Sequence, residues 1–387
     1  MSVLGVYNPL DLEFDHGDGV YLYTADGTRY LDFTSGIGVN SLGHSHPALV
    51  SVLKEQGEKI WHCSNLFKIS GQEIVAKKIV KNSFASSVFF CNSGAEAVEA
   101  GIKVIRKFFS SRKSNKYKII CAKDSFHGRT IGTISASGQS KLVDGFEPVL
   151  QGFKQVEFNN LQKIVENIDD HTAGIMIETI QGEGGVNPAT KDYLKGLNKI
   201  AKENNLLLFF DEVQCGVGRT GKFLALEWVK ELKPNIVALA KGIGGGFPIG
   251  ALLLDEKTTK IMKPGSHGST FGGNPLGMAV ANVVLNYILK KDFLDHVKET
   301  GYNLREMLKK EIVAKYPKLV SGVRGIGLMV GLEGEEKNEI LIKALNKHRL
   351  LTVKAGKNVI RMLPPLILEM KHVEEAIKKI DKAFSEL

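Results

Sequence analysis

An α/β fold, with a mainly parallel sheet covered by helices and a smaller α/β unit attached, follows from three features of the 387-residue chain. Short apolar runs recur between stretches with a helical apolar period, the alternation that a parallel sheet with crossover helices requires. Two of those runs, residues 206–210 and 236–240, are apolar from end to end, as strands buried on both faces are. Each leads straight into one ionisable residue, Asp211 and Lys241, the latter followed by Gly242-Ile243-Gly244-Gly245-Gly246. Ligands bind beyond the carboxyl ends of the strands in such sheets, so both side chains are expected to face one crevice.

The chain opens on a meander, residues 19–23 and 29–33 around the turn signal Asp26-Gly27. After His44-Ser45-His46-Pro47 the pattern predicts strands over 88–91, 118–122, 174–178, 206–210, 236–240 and 250–254. A helix starts at Ala95, where Val98, Ile102, Ile105 and Phe109 share one face. Beyond Pro275, the residues Leu276, Ala279, Val280, Val283 and Val284 predict a long connecting helix, and Val373, Ile377, Ile380 and Phe384 an amphipathic one at the end. The expected division is an N-terminal segment 1–50 that joins the small domain, a large ligand-binding domain 51–275, and a C-terminal small domain 276–387.

Hydrophobic content of 43% and charged content of 24% are those of an ordinary globular protein. No apolar stretch approaches the roughly 20 residues that span a bilayer, and the first ten residues lack the form of a secretory signal, so the cytoplasm is expected. Cys63, Cys91, Cys121 and Cys215 are scattered without metal-ligand spacing, which predicts reduced thiols and no metal site. The net charge of +9 includes a cluster around Ser110 to Asn115. It has little aromatic interleaving and reads as a solvated loop that leaves nucleic acid out, while the positive field suits anionic small molecules.

A lysine at a strand end can form a Schiff base with an aldehyde, and an aspartate can hold a pyridine nitrogen protonated. Together Lys241 and Asp211 describe a site for pyridoxal phosphate. Taken singly, a strand-end lysine usually reaches solvent; the neighbouring motifs shift the balance. Ser93-Gly94-Ala95, between the strand at 88–91 and the next helix, offers unpaired N–H groups and a hydroxyl to a phosphate. Phe126 can stack on the ring and Val213 pack on its other face, while Gln214 reaches the ring hydroxyl. His127 is either a general base or a neighbour that shapes the cofactor pocket. Arg129 can hold a carboxylate in a two-pronged hydrogen bond, and Ser269 and Thr270 add hydroxyls in a glycine-rich loop.

These motifs, together with Gln181-Gly182-Glu183-Gly184-Gly185, the segment from Asp211 to Gly221 and that from Arg324 to Glu333, resemble the class III pyridoxal phosphate aminotransferases, nearest the acetylornithine aminotransferases. They cover nearly the whole chain in the family's order. The resemblance implies fold type I, catalytic roles for Lys241 and Asp211, and a homodimer in which Thr270 reaches the phosphate of the neighbouring subunit's cofactor. One departure is Thr179, where the family usually has proline; proline there would shape backbone, so little functional change is expected.

The reaction so implied moves the terminal amino group of N2-acetylornithine to 2-oxoglutarate, giving N-acetylglutamate 5-semialdehyde and glutamate, a step of arginine biosynthesis. Arg129 is the candidate for the far carboxylate and Arg324 for the near one, with Glu183 expected to pair with Arg324 when the substrate lacks a near carboxylate. Ser35-Gly36-Ile37-Gly38-Val39-Asn40 favours an acylated ornithine, because ornithine aminotransferases tend to carry an aromatic residue near here; Asn40 is a candidate substrate contact. Succinylornithine, succinyldiaminopimelate, ornithine and 4-aminobutyrate also satisfy the outline. A racemase or decarboxylase would keep the Asp/Lys pair with different chemistry, and a non-enzymatic RNA-binding or scaffold protein would dispense with the cofactor.

Overall fold

The computed structural model of the protein describes residues 2–335 and 337–387. The apolar runs become the centre of a seven-stranded sheet, in the order Ser87–Cys91, Gly250–Leu254, Ile236–Leu239, Leu207–Asp211, Thr172–Glu178, Lys118–Ala122 and Phe153–Val156. Every residue of Thr172–Glu178, Leu207–Asp211, Ile236–Leu239 and Gly250–Leu254 is buried, as expected of strands covered on both faces. The strands from Ile236–Leu239 to Phe153–Val156 run parallel, while Gly250–Leu254 lies antiparallel to both its neighbours. All six strands expected for this sheet form; the edge strand Phe153–Val156 was not foreseen, because Lys154 and Gln155 interrupt its apolar signal.

The helix Gly94–Ser110 returns from the first strand of the set. Ser93 caps it, its Oγ accepting the Glu96 N–H at 3.2 Å, and Val98, Ile102, Ile105 and Phe109 are buried on its inner face. Burying each such side chain stabilises the fold by about 1.5–3 kcal/mol at most. Gly101 lets this helix lie against the sheet: a Cβ there would stand 2.4 Å from Phe209 Cε1. The connecting helix is Pro275–Ile288, capped by Asn274 with proline in its first turn, and Met370–Ser385 closes the chain with Val373, Ile377, Ile380 and Phe384 buried.

A second, antiparallel sheet has the order Val320–Ile326, Met329–Gly334, Val359–Met362, Val353–Ala355. The N-terminal meander has three short strands, His16–Asp18, Tyr21–Tyr23 and Arg29–Asp32, rather than the two expected. Gly19 turns with φ +54 and its N–H bonds His44 O, which breaks the run expected over 19–23. Leu31 and Asp32 pair in parallel with Leu350 and Leu351, so this meander is sewn to the C-terminal third of the chain.

Candidate active site

Parallel register places the ionisable strand ends together. Asp211 stands beside Glu178 on one neighbouring strand and beside Ala238, three residues before Lys241, on the other. Lys241 has φ +47, a left-handed backbone that a non-glycine residue holds at a cost of about 1–3 kcal/mol. The turn Lys241–Gly244 that imposes it is tied down by Ser41 Oγ, which donates to Gly242 O at 2.9 Å. Both Asp211 and Lys241 line one cavity of about 480 Å³.

Asp211 is 4% exposed; its Oδ1 accepts the Val213 N–H at 3.0 Å and its Oδ2 accepts His127 Nδ1–H at 2.7 Å. Burial pulls the His127 pKa down, but the hydrogen bond and charge of Asp211, with Glu178 adding to them, leave it above its ordinary value. The hydrogen bond to Asp211 favours a proton on His127, which argues against its acting as a free general base. Burial brings the Lys241 amine down to about 8, and the charge of Arg361 acts in the same direction against Glu183, Asp211 and Glu178. With its amine lowered to about 8, a part of it is unprotonated near neutral pH.

The same cavity is lined by Ser93, Gly94, Ala95, Phe126, Arg129, Val213, Gln214 and Glu183. The Ser93 hydroxyl is already committed, donating to Glu96 Oε2 at 3.0 Å, which leaves the first amides of the helix as the phosphate donors. Gly94 is needed where it stands, since a Cβ would come 2.7 Å from Val213 Cγ1. Arg129 is exposed at the cavity, its guanidinium 5.8 Å from the Phe126 ring centre. Four expected residues do not line this cavity: Asn40, whose neighbour Val39 does, and Ser269, Thr270 and Arg324. Ser269 is one step away, its Oγ accepting from Asn92 Nδ2 at 3.1 Å, while Thr270 is exposed.

The expected pairing of Glu183 with Arg324 does not form. Glu183 Oε1 instead binds Arg361 Nη1 at 2.6 Å, and Arg361 Nη1 also donates to Gln214 Oε1 at 3.0 Å. Arg324 faces Glu333 at 3.5 Å, about one-third exposed, in a separate cleft with Gly184 and Asn358. Strand register explains the exchange: Gly331 pairs with Arg324 on one side and Arg361 on the other, so both arginines share one row and one face of the second sheet. The loop 182–185 crosses that row, with Glu183 over Arg361 and Gly185 near Arg324. Arg361 left a signal in the sequence, a lone charge inside the apolar run Val359-Ile360-Arg361-Met362-Leu363, since a guanidinium at 2% exposure needs a partner. Glu178, a second buried carboxyl at the cavity beside Asp211, was also not foreseen; burial raises it to about 8, opposed by His127 and assisted by Asp211.

Residues 5–384 match the family Aminotransferase class-III. The chain belongs to the class III aminotransferases. Acetylornithine aminotransferase of Brucella melitensis is 48% identical over 382 residues, covering 98% of this chain and 94% of that one. The protein of the same name from Aquifex aeolicus is 49% identical, with 96% of each chain covered. Among solved structures, an ornithine aminotransferase from Toxoplasma gondii superposes with a TM-score of 0.94 at 30% identity, covering 99% of this chain and 92% of that one. N-acetylornithine aminotransferase from Stenotrophomonas maltophilia gives 0.85 at 34%, covering 98% and 96%.

Class III aminotransferases use pyridoxal phosphate, and the residues present fit it. A cavity lysine with a lowered pKa suits an aldehyde, the opening amides of Gly94–Ser110 suit a phosphate, and Phe126 and Val213 offer an aromatic and a branched wall to a flat ring.

Proposed function

We propose that this class III aminotransferase takes the terminal amino group from N2-acetylornithine and gives it to 2-oxoglutarate, producing N-acetylglutamate 5-semialdehyde and glutamate. The observation that carries the reading is the Glu183–Arg361 pair inside the cavity, with a second, exposed arginine, Arg129, on the same cavity. Two near-full-length relatives named for that activity, at 48% and 49% identity, support the donor. Glutamate and 2-oxoglutarate carry two carboxylates and need both arginines. N-acetylornithine reacts at its terminal amine and brings no carboxylate to Arg361, whose charge Glu183 then neutralises.

Bound pyridoxal phosphate supplies the aldehyde that accepts the amino group and a ring that withdraws electrons. Asp211 would hold a proton on the ring nitrogen, its carboxylate having lone pairs to spare beyond Val213 and His127. His127, buried against Asp211, orients that carboxylate through its hydrogen bond. Lys241 Nζ would hold the cofactor through its amine, and the freed amine would move the proton, taking it from the substrate carbon that bears the nitrogen and returning one in the reverse half-reaction. Gln214, whose Oε1 accepts from Arg361 Nη1, would meet the ring hydroxyl through its side-chain amide.

The homodimer expected from the sequence enters the same proposal. Trp61, Leu66, Phe67 and Phe271 are 65%, 88%, 67% and 59% exposed. Asn65 Nδ2 ties their loop to Ser269 O and Gly272 O, both at 3.0 Å, so the apolar face and Thr270 move as one. A second copy of the chain would cover this face and bring Thr270 to its neighbour's phosphate. The division into 1–50 with 276–387 against 51–275 draws support from the Leu31–Leu350 pairing. Among the described residues no helix is long and apolar enough to cross a membrane.

The deciding experiment compares kcat/KM for N-acetylornithine, N-succinylornithine, ornithine and 4-aminobutyrate with 2-oxoglutarate as acceptor. N-acetylornithine is expected to lead. A higher value for ornithine or 4-aminobutyrate would reject the assignment while leaving the family intact.

A further inference from the structure

Two loops that line the cavity meet on one buried carboxyl. Glu178 ends the strand Thr172–Glu178 next to Asp211, at 6% exposure. Its Oε2 accepts the Phe126 N–H at 3.2 Å, and its Oε1 accepts the Gly182 N–H at 3.3 Å. Phe126 is the aromatic wall of the cavity; Gly182 immediately precedes Glu183, the carboxylate that holds Arg361. The same loops touch again where Gln181 Nε2 donates to Lys123 O at 2.7 Å.

We propose that Glu178 is a positioning residue that ties the Phe126 loop to the Glu183 loop, coupling the pose of the aromatic wall to the setting of the Glu183–Arg361 pair. The proposal rests on the aminotransferase reading of the cavity. A carboxyl group has two acceptor oxygens, and here each serves one loop amide. Glutamine at the same position has one acceptor oxygen and an NH2 donor, so one amide would face a donor and lose its partner. A buried N–H left without an acceptor is the costly outcome, which gives the tie its stiffness. Burial makes Glu178 an expensive place for a charge, and its two oxygens bond only the two loop amides among the described residues. The Phe126 wall serves both substrates, whereas the Glu183–Arg361 pair distinguishes them. Loosening the tie therefore changes the two half-reactions by different factors.

The test measures amide hydrogen exchange at Phe126 and Gly182 in the intact holoenzyme, together with single-turnover kcat/KM for each half-reaction, in the wild type and in Glu178→Gln. At least one of the two amides is expected to exchange about fivefold faster, the factor that accompanies loss of one hydrogen bond between neutral groups. The ratio of the N-acetylornithine efficiency to the glutamate efficiency is expected to move by a similar factor. Unchanged protection of both amides overturns the proposal, and so does an equal fall in the two efficiencies, which a merely structural role would produce. Glu178→Asp carries the same test if the glutamine variant does not fold, since its shorter carboxylate cannot reach both amides. A wild type inactive on N-acetylornithine would reject the substrate assignment alone, because the exchange measurement judges the tie independently.

Discussion

Arg361 occupies an apolar strand at 2% exposure, and its pairing with Glu183 at 2.6 Å is what makes a charge acceptable there. Glu183→Gln leaves that guanidinium open to the near carboxylate of glutamate whether or not one is present. Its N-acetylornithine half-reaction is expected to weaken by at least about tenfold relative to the glutamate half-reaction, following the 1.4 kcal/mol that a charged hydrogen bond easily supplies. Stopped-flow absorbance of the bound cofactor reads both halves, and an unchanged ratio rejects the switch. Arg324→Ala should alter either half by about twofold or less, since an exposed pair at 3.5 Å contributes little. Buried carboxyls also set a pH dependence. Burial raises Glu212 from 4.5 to about 7, offset by the Leu226 and Ala225 amides and Thr179. The native state then holds a proton that the unfolded state has lost, so this contribution is full below about pH 4.5 and disappears as the pH rises through 7; Glu178 extends the window to about 8. Lys241 gives the opposite slope, between about 8 and 10.5. The apoprotein is therefore expected to melt lower at pH 8 than at pH 5, with a shallower dependence in Glu212→Gln; a calorimetric profile with the same slope in both would refute this.

Among the elements, Gly94–Ser110 was legible because its cap, its apolar period and its flanking strand are all local. Its closeness to the sheet was not legible, since Gly101 meets Phe209 from a strand more than a hundred residues away. Gly101→Val should therefore destabilise by about 1–3 kcal/mol, read as a lower denaturant midpoint, because the helix must shift away from the ring. Thr179 carries a similar lesson. The sequence predicts little functional change from threonine in place of proline at Thr179; the structure adds a stabilising role, the Thr179 hydroxyl donating to the buried Glu212 Oε1 at 2.9 Å. Thr179→Val should cost about 1–3 kcal/mol in urea unfolding while leaving substrate preference unchanged. The edge strand Phe153–Val156 stayed hidden for the opposite reason: exposed Lys154 and half-buried Gln155, whose Nε2 donates to Ser135 O at 2.8 Å, erase the apolar run.

For the whole molecule, the exposed apolar face around Leu66, Phe67 and Phe271 calls for a cover. Leu66→Asp combined with Phe67→Asp is expected to shift sedimentation from dimer to monomer and to reduce activity by at least about tenfold, since a buried charge on each side opposes association. A dimeric, fully active double variant would remove this face from the interface and Thr270 from the partner's site.

Sequence alone determined what is written within a few residues of itself: the alternation of strand and helix, the strand ends bearing Asp211 and Lys241, the helix start at Ser93-Gly94-Ala95, and Phe126 in the loop after its strand. These depend on local periodicity, caps and the rule that strand ends open onto a crevice. Tertiary structure alone decided the strand order, the reversed strand Gly250–Leu254, the exchange of Arg324 for Arg361 and the meeting of Phe126 and Gly182 on Glu178. Each of these is a partnership across sheet registers or between loops distant in the chain, and Glu183 and Arg361 lie 178 residues apart. Either arginine in that row of the second sheet answers the charge requirement; only the path of the loop above them selects one.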